Sequence, residues 1–180
     1  MSIVKFDHIG IVVEDLDAAL AHFQQIFGEI REQDLIYYRD YEDVDPDTGQ
    51  ADIMHFALFP VGEVYLELIE PAKEDGAMKR FLDRRGEGFH HLGITTNDIK
   101  KEWLLHDELR DSIGTVEPRP RVDRYDVSYW FLHPKKNHGL LIEVDTAWAK
   151  TSASDMTPIE STPDWIAELQ ANMASGDSTP

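Results

Sequence analysis

The chain has 180 residues and no cysteine, which excludes disulfide bonds and thiolate metal sites. Its 35 acidic and 17 basic residues give a net charge of −18, which disfavours nucleic acid and anionic membranes as partners. No apolar run has the length of a membrane span, and no signal-peptide pattern precedes the first predicted strand. The sequence therefore predicts one compact domain, and the absence of cysteine fits a cytoplasmic location.

The first half of the chain predicts a strand, a helix and three more strands. Alternating β-branched residues indicate a strand over 3–13. Apolar residues at every third or fourth position indicate a helix over 16–27, which begins after Asp15 and ends at Gly28. The other strands are predicted at 29–39, 52–60 and 63–70. An acidic segment over 40–51, with proline and glycine, is expected to be a loop.

The second half repeats this order after a connector over 71–87 that holds a basic helical turn. A strand is predicted over 88–96, followed by a helix from Asn97 or Asp98 to about Leu109. The remaining strands are predicted near 113–117, over 127–133 and over 139–145. Each half thus has the order βαβββ, and the fold class is α+β.

Four parts follow from these elements. They are a first module (1–72), a connector (73–87), a second module (88–147) and a C-terminal extension (148–180). The extension opens with a linker rich in serine, threonine and proline. A short amphipathic helix is predicted after the linker, with Trp165, Ile166, Leu169 and Met173 on its apolar face. This helix is expected to dock on the body or on a second subunit.

Both modules open with copies of one motif. The stretch from Phe6 to Asp15 recurs from Phe89 to Asp98, with Phe, His, Gly, Ile and Asp at the same five of ten positions. This agreement indicates an internal duplication. Side chains that occupy equivalent places in the two halves are therefore expected to meet around one shared site.

Four polar side chains occupy such equivalent places. His8 and His91 lie on the first strands, and Glu67 and Glu143 lie within apolar last strands. An ionised carboxylate there is costly unless it is charge-paired or metal-bound. Two imidazoles and two carboxylates suit a divalent first-row metal ion with open positions for water or substrate. Each residue alone fits an ordinary hydrogen-bonded or solvent-facing side chain, but the duplication of all four favours the metal.

Strand alternation predicts the surroundings of this quartet. Gly10 and Gly93 are expected to leave room for substrate beside the ligands. His90 is expected to point away from the site. The helix over 16–27 should cover the opposite face of the first strand, which carries Ile9.

A basic loop is the candidate site for an anionic substrate in this acidic chain. It contains Arg119, Arg121 and Arg124, and Lys135 lies further along the chain. Such a patch would attract phosphate groups by charge. The alternative is a solvated loop with scattered charges.

The duplicated motifs resemble those of the vicinal oxygen chelate superfamily, and most closely those of its methylmalonyl-CoA epimerases. The matching segments are 6–13, 66–71, 88–93 and 131–143. The resemblance implies two tandem βαβββ modules that form a curled eight-stranded mixed sheet around a metal site. It places the ligands of one divalent ion (cobalt, manganese, nickel, zinc or iron) at His8, Glu67, His91 and Glu143. It also implies a homodimer.

The implied reaction is a 1,1-proton transfer on a malonyl-type acyl-CoA through a metal-stabilised enolate. The resemblance makes Glu143 the group that removes the α-proton. Asp52, which stands where some epimerases have a glutamate, is the candidate on the opposite face. The arginine loop would then bind the phosphates of CoA.

Three other functions stay open. Many epimerases have glutamine where this chain has Glu67, and a glutamate there resembles glyoxalase I, a lyase/isomerase of hemithioacetals. Ring-cleaving dioxygenases use two histidines and one glutamate, so a fourth ligand argues against that reaction. Ligand-sequestering proteins of the superfamily generally lack the complete quartet, which favours an enzyme.

Overall fold

The structure is a computed structural model that describes residues 3–44, 50–115, 120–122, 128–146 and 165–167. The elements of the first module are β1 (Ile3–Val12), α1 (Leu16–Phe27), β2 (Ile36–Val44), β3 (Ala51–Val61) and β4 (Val64–Pro71). A connecting helix, α2 (Ala77–Arg85), leads to the second module. Its elements are β5 (Gly88–Thr96), α3 (Ile99–Glu108), α4 (Arg110–Ile113), β6 (Arg121–Val122), β7 (Ser128–Leu132) and β8 (Ile142–Asp145).

All eight strands form one curled mixed sheet in the order β2-β3-β4-β1-β5-β8-β7-β6. The first strand of each module pairs in parallel with the last strand of the same module, as β1 with β4 and β5 with β8. The two first strands, β1 and β5, pair antiparallel at the centre. The predicted α+β fold of two βαβββ modules is confirmed, and the limits 1–72, 73–87, 88–147 and 148–180 stay a prediction.

Helix α1 begins and ends where the sequence predicts. The Asp15 side chain accepts a hydrogen bond from the Ala18 amide at 2.9 Å, which satisfies one of the free amides of the first turn. Gly28 ends the helix with a φ of 91°, a conformation that favours glycine. The helix packs on the predicted face of β1, against Ile9 and Ile11.

The prediction for residues 29–51 was partly wrong. A 3-10 turn at Glu32–Asp34 precedes β2, and β2 continues into the segment expected to be a loop. Antiparallel pairing with β3 satisfies the backbone hydrogen-bonding groups of this acidic stretch. Tyr41 of β2 is buried against Phe56 in edge-to-face contact. Residues 45–49 lie outside the described residues.

The strand predicted near 113–117 was wrong at its start, which is the end of a helix, and residues 116 and 117 lie outside the described residues. Residues Arg110–Ile113 form a short helix that ends at Gly114, which has a φ of 72°. Thr115 then makes one isolated bridge to Leu132. In the connector, the predicted helical turn is a nine-residue helix, α2.

An apolar cluster in the second module contacts the described part of the C-terminal extension, residues 165–167. Trp103 on α3 packs edge-to-face on Trp130 of β7, with ring centroids 5.2 Å apart. Residues 165–167 are helical, Trp165 packs against this cluster, and Ile166 is buried. These three residues therefore contact the body, whereas Leu169 and Met173 lie outside the described residues. Within the described ranges, every helix is too short or too polar to cross a bilayer.

Candidate metal centre

The fold brings the four predicted side chains to one point between the modules. His8 Nε2 and His91 Nε2 lie 2.9 Å apart. Glu143 Oε2 lies 3.1 Å from His91 Nε2 and 3.8 Å from His8 Nε2. Glu67 Oε2 lies 3.3 Å from His91 Nε2 and 3.9 Å from His8 Nε2. One imidazole and one carboxylate come from each module.

The two motif glycines make this approach possible. Gly10 pairs with His91, and His8 pairs with Gly93, across the β1–β5 ladder. A Cβ atom on Gly10 would lie 2.2 Å from Cε1 of His91, and one on Gly93 would lie 2.2 Å from Cε1 of His8. The expectation that these glycines leave room for substrate was wrong, because the imidazole of the other module fills that space.

We expect Gly10→Ala to destabilise the protein and displace His91 from the centre. The added methyl group overlaps a buried ring, and such overpacking typically costs about 1–3 kcal/mol. Urea unfolding would measure the loss. The double variant Gly10→Ala/His91→Ala removes the overlapping ring, so the glycine substitution should cost much less in that background. Equal costs of Gly10→Ala in the two backgrounds would contradict the account.

Two β-bulges turn two further polar side chains toward the candidate metal centre. The pairing of β1 with β5 skips Asp7 in one strand and His90 in the other, which are equivalent positions of the repeat. A bulge interrupts alternation and redirects a side chain. Asp7 Oδ2 thereby lies 3.4 Å from His8 Nδ1, and His90 Nδ1 lies 2.9 Å from His91 Nδ1. The expectation that His90 points away from the site was wrong, and alternation alone also missed Asp7.

Burial and charge set different protonation preferences for the two imidazoles. Burial, with the nearby His8, lowers the pKa of His91 to about 4 against the pull of Glu143, so this ring is neutral at pH 7. Burial opposes protonation of His8 too, but Asp7, Glu143 and Glu67 outweigh it and raise the pKa of His8 well above its ordinary value. Burial likewise raises the pKa of Glu67. A proton and a cation therefore compete for this cluster.

The arrangement of donors fits a cation. Two donors about 2.1 Å from one ion lie about 3.0–3.4 Å apart at octahedral or tetrahedral angles. The distances from His91 Nε2 to His8 Nε2, Glu67 Oε2 and Glu143 Oε2 match or approach this range. The distances from His8 Nε2 to the two carboxylate oxygens are longer, at 3.9 and 3.8 Å. The atoms of His8, His91 and Glu143 all lie within 4.8 Å of one another. The set of two nitrogens and two oxygens suits a divalent first-row ion.

A cavity of about 600 Å³ opens beside the candidate centre. Glu67, His91 and Glu143 contribute to its lining. Apolar side chains, Met54 and Phe131 among them, line it as well. This size and this mixture of apolar walls with a few convergent polar groups are typical of a small-molecule site.

Asp52 also lines the cavity, but its carboxylate is engaged with the connecting helix. Oδ2 accepts hydrogen bonds from the amides of Ala77 and Met78, at 2.7 and 3.2 Å, at the start of α2. Oδ1 accepts a hydrogen bond from the Ile53 amide at 3.0 Å. These contacts indicate that Asp52 anchors α2 to β3. Its predicted part in proton transfer stays a prediction.

Of the basic side chains predicted to bind substrate, one lies in the wall of the cavity. Arg121 lines the cavity and pairs with Asp43 at 3.0 Å, where the Tyr129 hydroxyl also donates a hydrogen bond at 2.6 Å. This contact ties β6 and β7 to β2 across the modules. Lys135 lies in the turn between β7 and β8, whereas Arg119 and Arg124 lie outside the described residues.

Sequence reasoning missed two other basic side chains that line the cavity. They are Lys73 and Arg80, which lie just before α2 and within it. Lys73 Nζ bonds to the Ala51 carbonyl at 2.5 Å. The basic character of α2 was a signal in the sequence, but the segment was interpreted as a connector because no motif marked it as a wall of the site.

Comparison with known families agrees with this geometry. Residues 7–108 match the model of the Glyoxalase/Bleomycin resistance protein/Dioxygenase superfamily. The chain belongs to this superfamily. The matched segment contains the second part of β1 and all of β4 and β5, and therefore three of the four side chains of the candidate centre.

Within this superfamily, similar proteins include epimerases of acyl-CoA esters. The ethylmalonyl-CoA/methylmalonyl-CoA epimerase of Cereibacter sphaeroides is 28% identical over 78% of this chain and 96% of its own length. A variant of Streptomyces coelicolor methylmalonyl-CoA epimerase, solved in complex with 2-nitronate-propionyl-CoA, is 30% identical, with a TM-score of 0.57. That alignment covers 82% of this chain and 99% of the epimerase. The uncharacterized protein YqjC of Bacillus subtilis is 26% identical over 78% of this chain and 90% of its own length.

Proposed function

We propose that the protein is a divalent-metal-dependent epimerase of a malonyl-type acyl-CoA. The observation that carries this proposal is the convergence of two imidazoles and two carboxylates, one pair from each module, beside a cavity of about 600 Å³. The similar proteins from Cereibacter sphaeroides and Streptomyces coelicolor are named for epimerisation of such esters. Both the site chemistry and the resemblance therefore favour the same reaction.

The side chains that would hold the ion are His8, Glu67, His91 and Glu143. When bound, the cation would supply Lewis-acid stabilisation of negative charge on oxygen atoms of the substrate. His91 is suited to coordinate the ion because burial keeps its imidazole neutral, which leaves one ring nitrogen as an electron-pair donor.

Glu143 is the proposed proton acceptor. Its carboxylate lines the cavity and is buried, so it can meet a substrate with little competition from water. The carboxylate would accept the α-proton and become a carboxylic acid, while the C–H electron pair is delocalised onto the adjacent carbonyl group as an enolate. A second acid then returns a proton to the opposite face, so the substrate changes configuration without gain or loss of atoms. Asp52 is the candidate for that second group.

Positive charge on the cavity wall suits an anionic acyl-CoA. Arg121 from the predicted loop, with Lys73 and Arg80 from the connecting segment, would offset the acidic character of the chain near the phosphates. Arg119, Arg124 and Lys135 stay predicted contributors to this binding. The homodimer and the cytoplasmic location also stay predictions.

Proton exchange at the α-carbon tests the function. We expect the purified protein with cobalt or manganese, incubated with methylmalonyl-CoA in deuterated water, to replace the α-proton by deuterium. Loss of the α-proton signal by NMR measures this, and a chelator-treated sample is the control. No exchange above the control would contradict the epimerase proposal.

A glyoxalase I-like lyase/isomerase is the second candidate. The feature that favours it is Glu67, whose carboxylate oxygen lies 3.3 Å from His91 Nε2 and gives the centre two carboxylates. An assay with the hemithioacetal of methylglyoxal and glutathione separates the two candidates. Turnover of the hemithioacetal without exchange on the acyl-CoA would favour this second function.

A further inference from the structure

Both imidazoles of the candidate metal centre are contacted at the second ring nitrogen. His8 Nδ1 lies 3.4 Å from Asp7 Oδ2, and His91 Nδ1 lies 2.9 Å from His90 Nδ1. Asp7 and His90 are the bulged residues of β1 and β5, and they occupy equivalent places in the two copies of the motif. The bulges thus supply each imidazole with a partner from the preceding residue.

These contacts restrict the tautomer of each ring. A neutral imidazole has one N–H and one electron pair, so Nε2 can bind a cation only if Nδ1 carries the proton. The Asp7 carboxylate only accepts hydrogen bonds, and it therefore selects the Nδ1–H form of His8. If His91 is to donate from Nδ1 in the same way, His90 must accept at Nδ1 and carry its own proton on Nε2.

The two partners differ in charge, although their positions are equivalent. Asp7 is fully buried, and its other oxygen, Oδ1, lies 3.0 Å from Lys5 Nζ. A second buried carboxylate, Asp145, lies 3.7 Å from His8 Nδ1. His91 has a ring as its partner instead. Negative charge beside Nδ1–H increases the basicity of Nε2, so His8 has the environment of the stronger ligand.

We propose that Asp7 and His90 are positioning residues that hold His8 and His91 in the tautomer presenting Nε2 to the cation, and that Asp7 contributes more to affinity than His90. The proposal rests on the metal centre described under the proposed function. It assigns roles to two residues that neither bind the ion nor are required to touch the substrate.

Cobalt affinity tests the proposal, measured by titration calorimetry and by the visible absorption of bound Co²⁺. Loss of such a partner typically weakens metal binding by about 10–100-fold. We expect Asp7→Asn to bind Co²⁺ about 10–100-fold more weakly than the wild type, and His90→Leu to lose less. His90→Asn should restore binding relative to His90→Leu, because an asparagine oxygen can accept at the place of Nδ1. Lys5→Gln is the matched control, since it removes a contact of Asp7 but leaves the contact with His8, and it should keep the affinity within tenfold of the wild type.

A spectroscopic readout separates positioning from general damage to the fold. In the zinc-loaded protein labelled with nitrogen-15, His8 and His91 should each show a protonated Nδ1 and a metal-bound Nε2. Coordination through Nδ1 in either ring would overturn the proposal. Far-UV circular dichroism of each metal-free variant checks folding.

The outcomes distinguish this proposal from the metal centre itself. Wild-type affinity in both Asp7→Asn and His90→Leu would overturn the positioning roles and leave the centre in place. Absence of Co²⁺ binding in the wild type would overturn both. If Asp7→Asn does not fold, the comparison of His90→Leu with His90→Asn decides, and equal affinities of that pair would count against the proposal.

Discussion

Replacement of Glu143 by glutamine is expected to lower kcat/KM for α-proton exchange by at least about 100-fold, the usual contribution of a positioned base. An amide has the size of the carboxylate but cannot accept the proton. Glu67→Gln, at the equivalent place in the first module, should keep activity within about tenfold, because an amide oxygen can still bind the ion and Glu67 has no assigned part in proton transfer.

Paired measurements separate proton transfer from metal binding. Exchange rates are measured at saturating cobalt, so that weaker coordination does not pass for lost base catalysis. Glu63→Gln, at an exposed position in the turn between β3 and β4, is the matched control and should behave as the wild type. Activity of Glu143→Gln within tenfold of the wild type would exclude Glu143 as the proton acceptor.

Saturation with cobalt is expected to raise the melting temperature of the wild type by about 5–10 °C and that of His91→Ala not at all. A ligand at 100 times its dissociation constant stabilises the native state by about 2.7 kcal/mol, and each kcal/mol shifts the melting temperature of a chain this size by about 2–4 °C. Removal of one of two nitrogen donors should abolish tight binding. Thermal unfolding with and without cobalt measures the difference.

The readout is the shift caused by the ion, because His91→Ala also leaves a buried space that lowers stability by itself. His22→Ala, an exposed histidine on α1, is the control and should retain the wild-type shift. A cobalt-induced rise in His91→Ala equal to that of the wild type would contradict coordination by His91.

The duplication made the centre of the fold predictable from sequence. A motif that repeats at a constant offset places equivalent side chains by symmetry, so the sequence alone pairs His8 with His91. Helix α1 was also predictable, because Asp15 and Gly28 determine its ends through local hydrogen bonds and backbone conformation. Both inferences depend on neighbours in sequence or on exact repetition.

The bulges were not predictable, because they arise from pairing between strands distant in sequence. Strand alternation predicted that His90 points away from the site. The pairing of β1 with β5 skips His90, and the resulting bulge turns its ring toward His91. The space beside Gly10 was assigned to substrate for the same reason, since the ring that fills it belongs to the other module. The capping of α2 by Asp52 likewise joins segments separated in the chain.

Cobalt anomalous scattering from crystals of the loaded protein tests the shared centre most directly. The account predicts a single strong peak within about 2.0–2.3 Å of four donors, namely Nε2 of His8, Nε2 of His91 and one carboxylate oxygen each of Glu67 and Glu143. A peak held by residues of one module only, or no peak at this position in crystals grown with saturating cobalt, would contradict it.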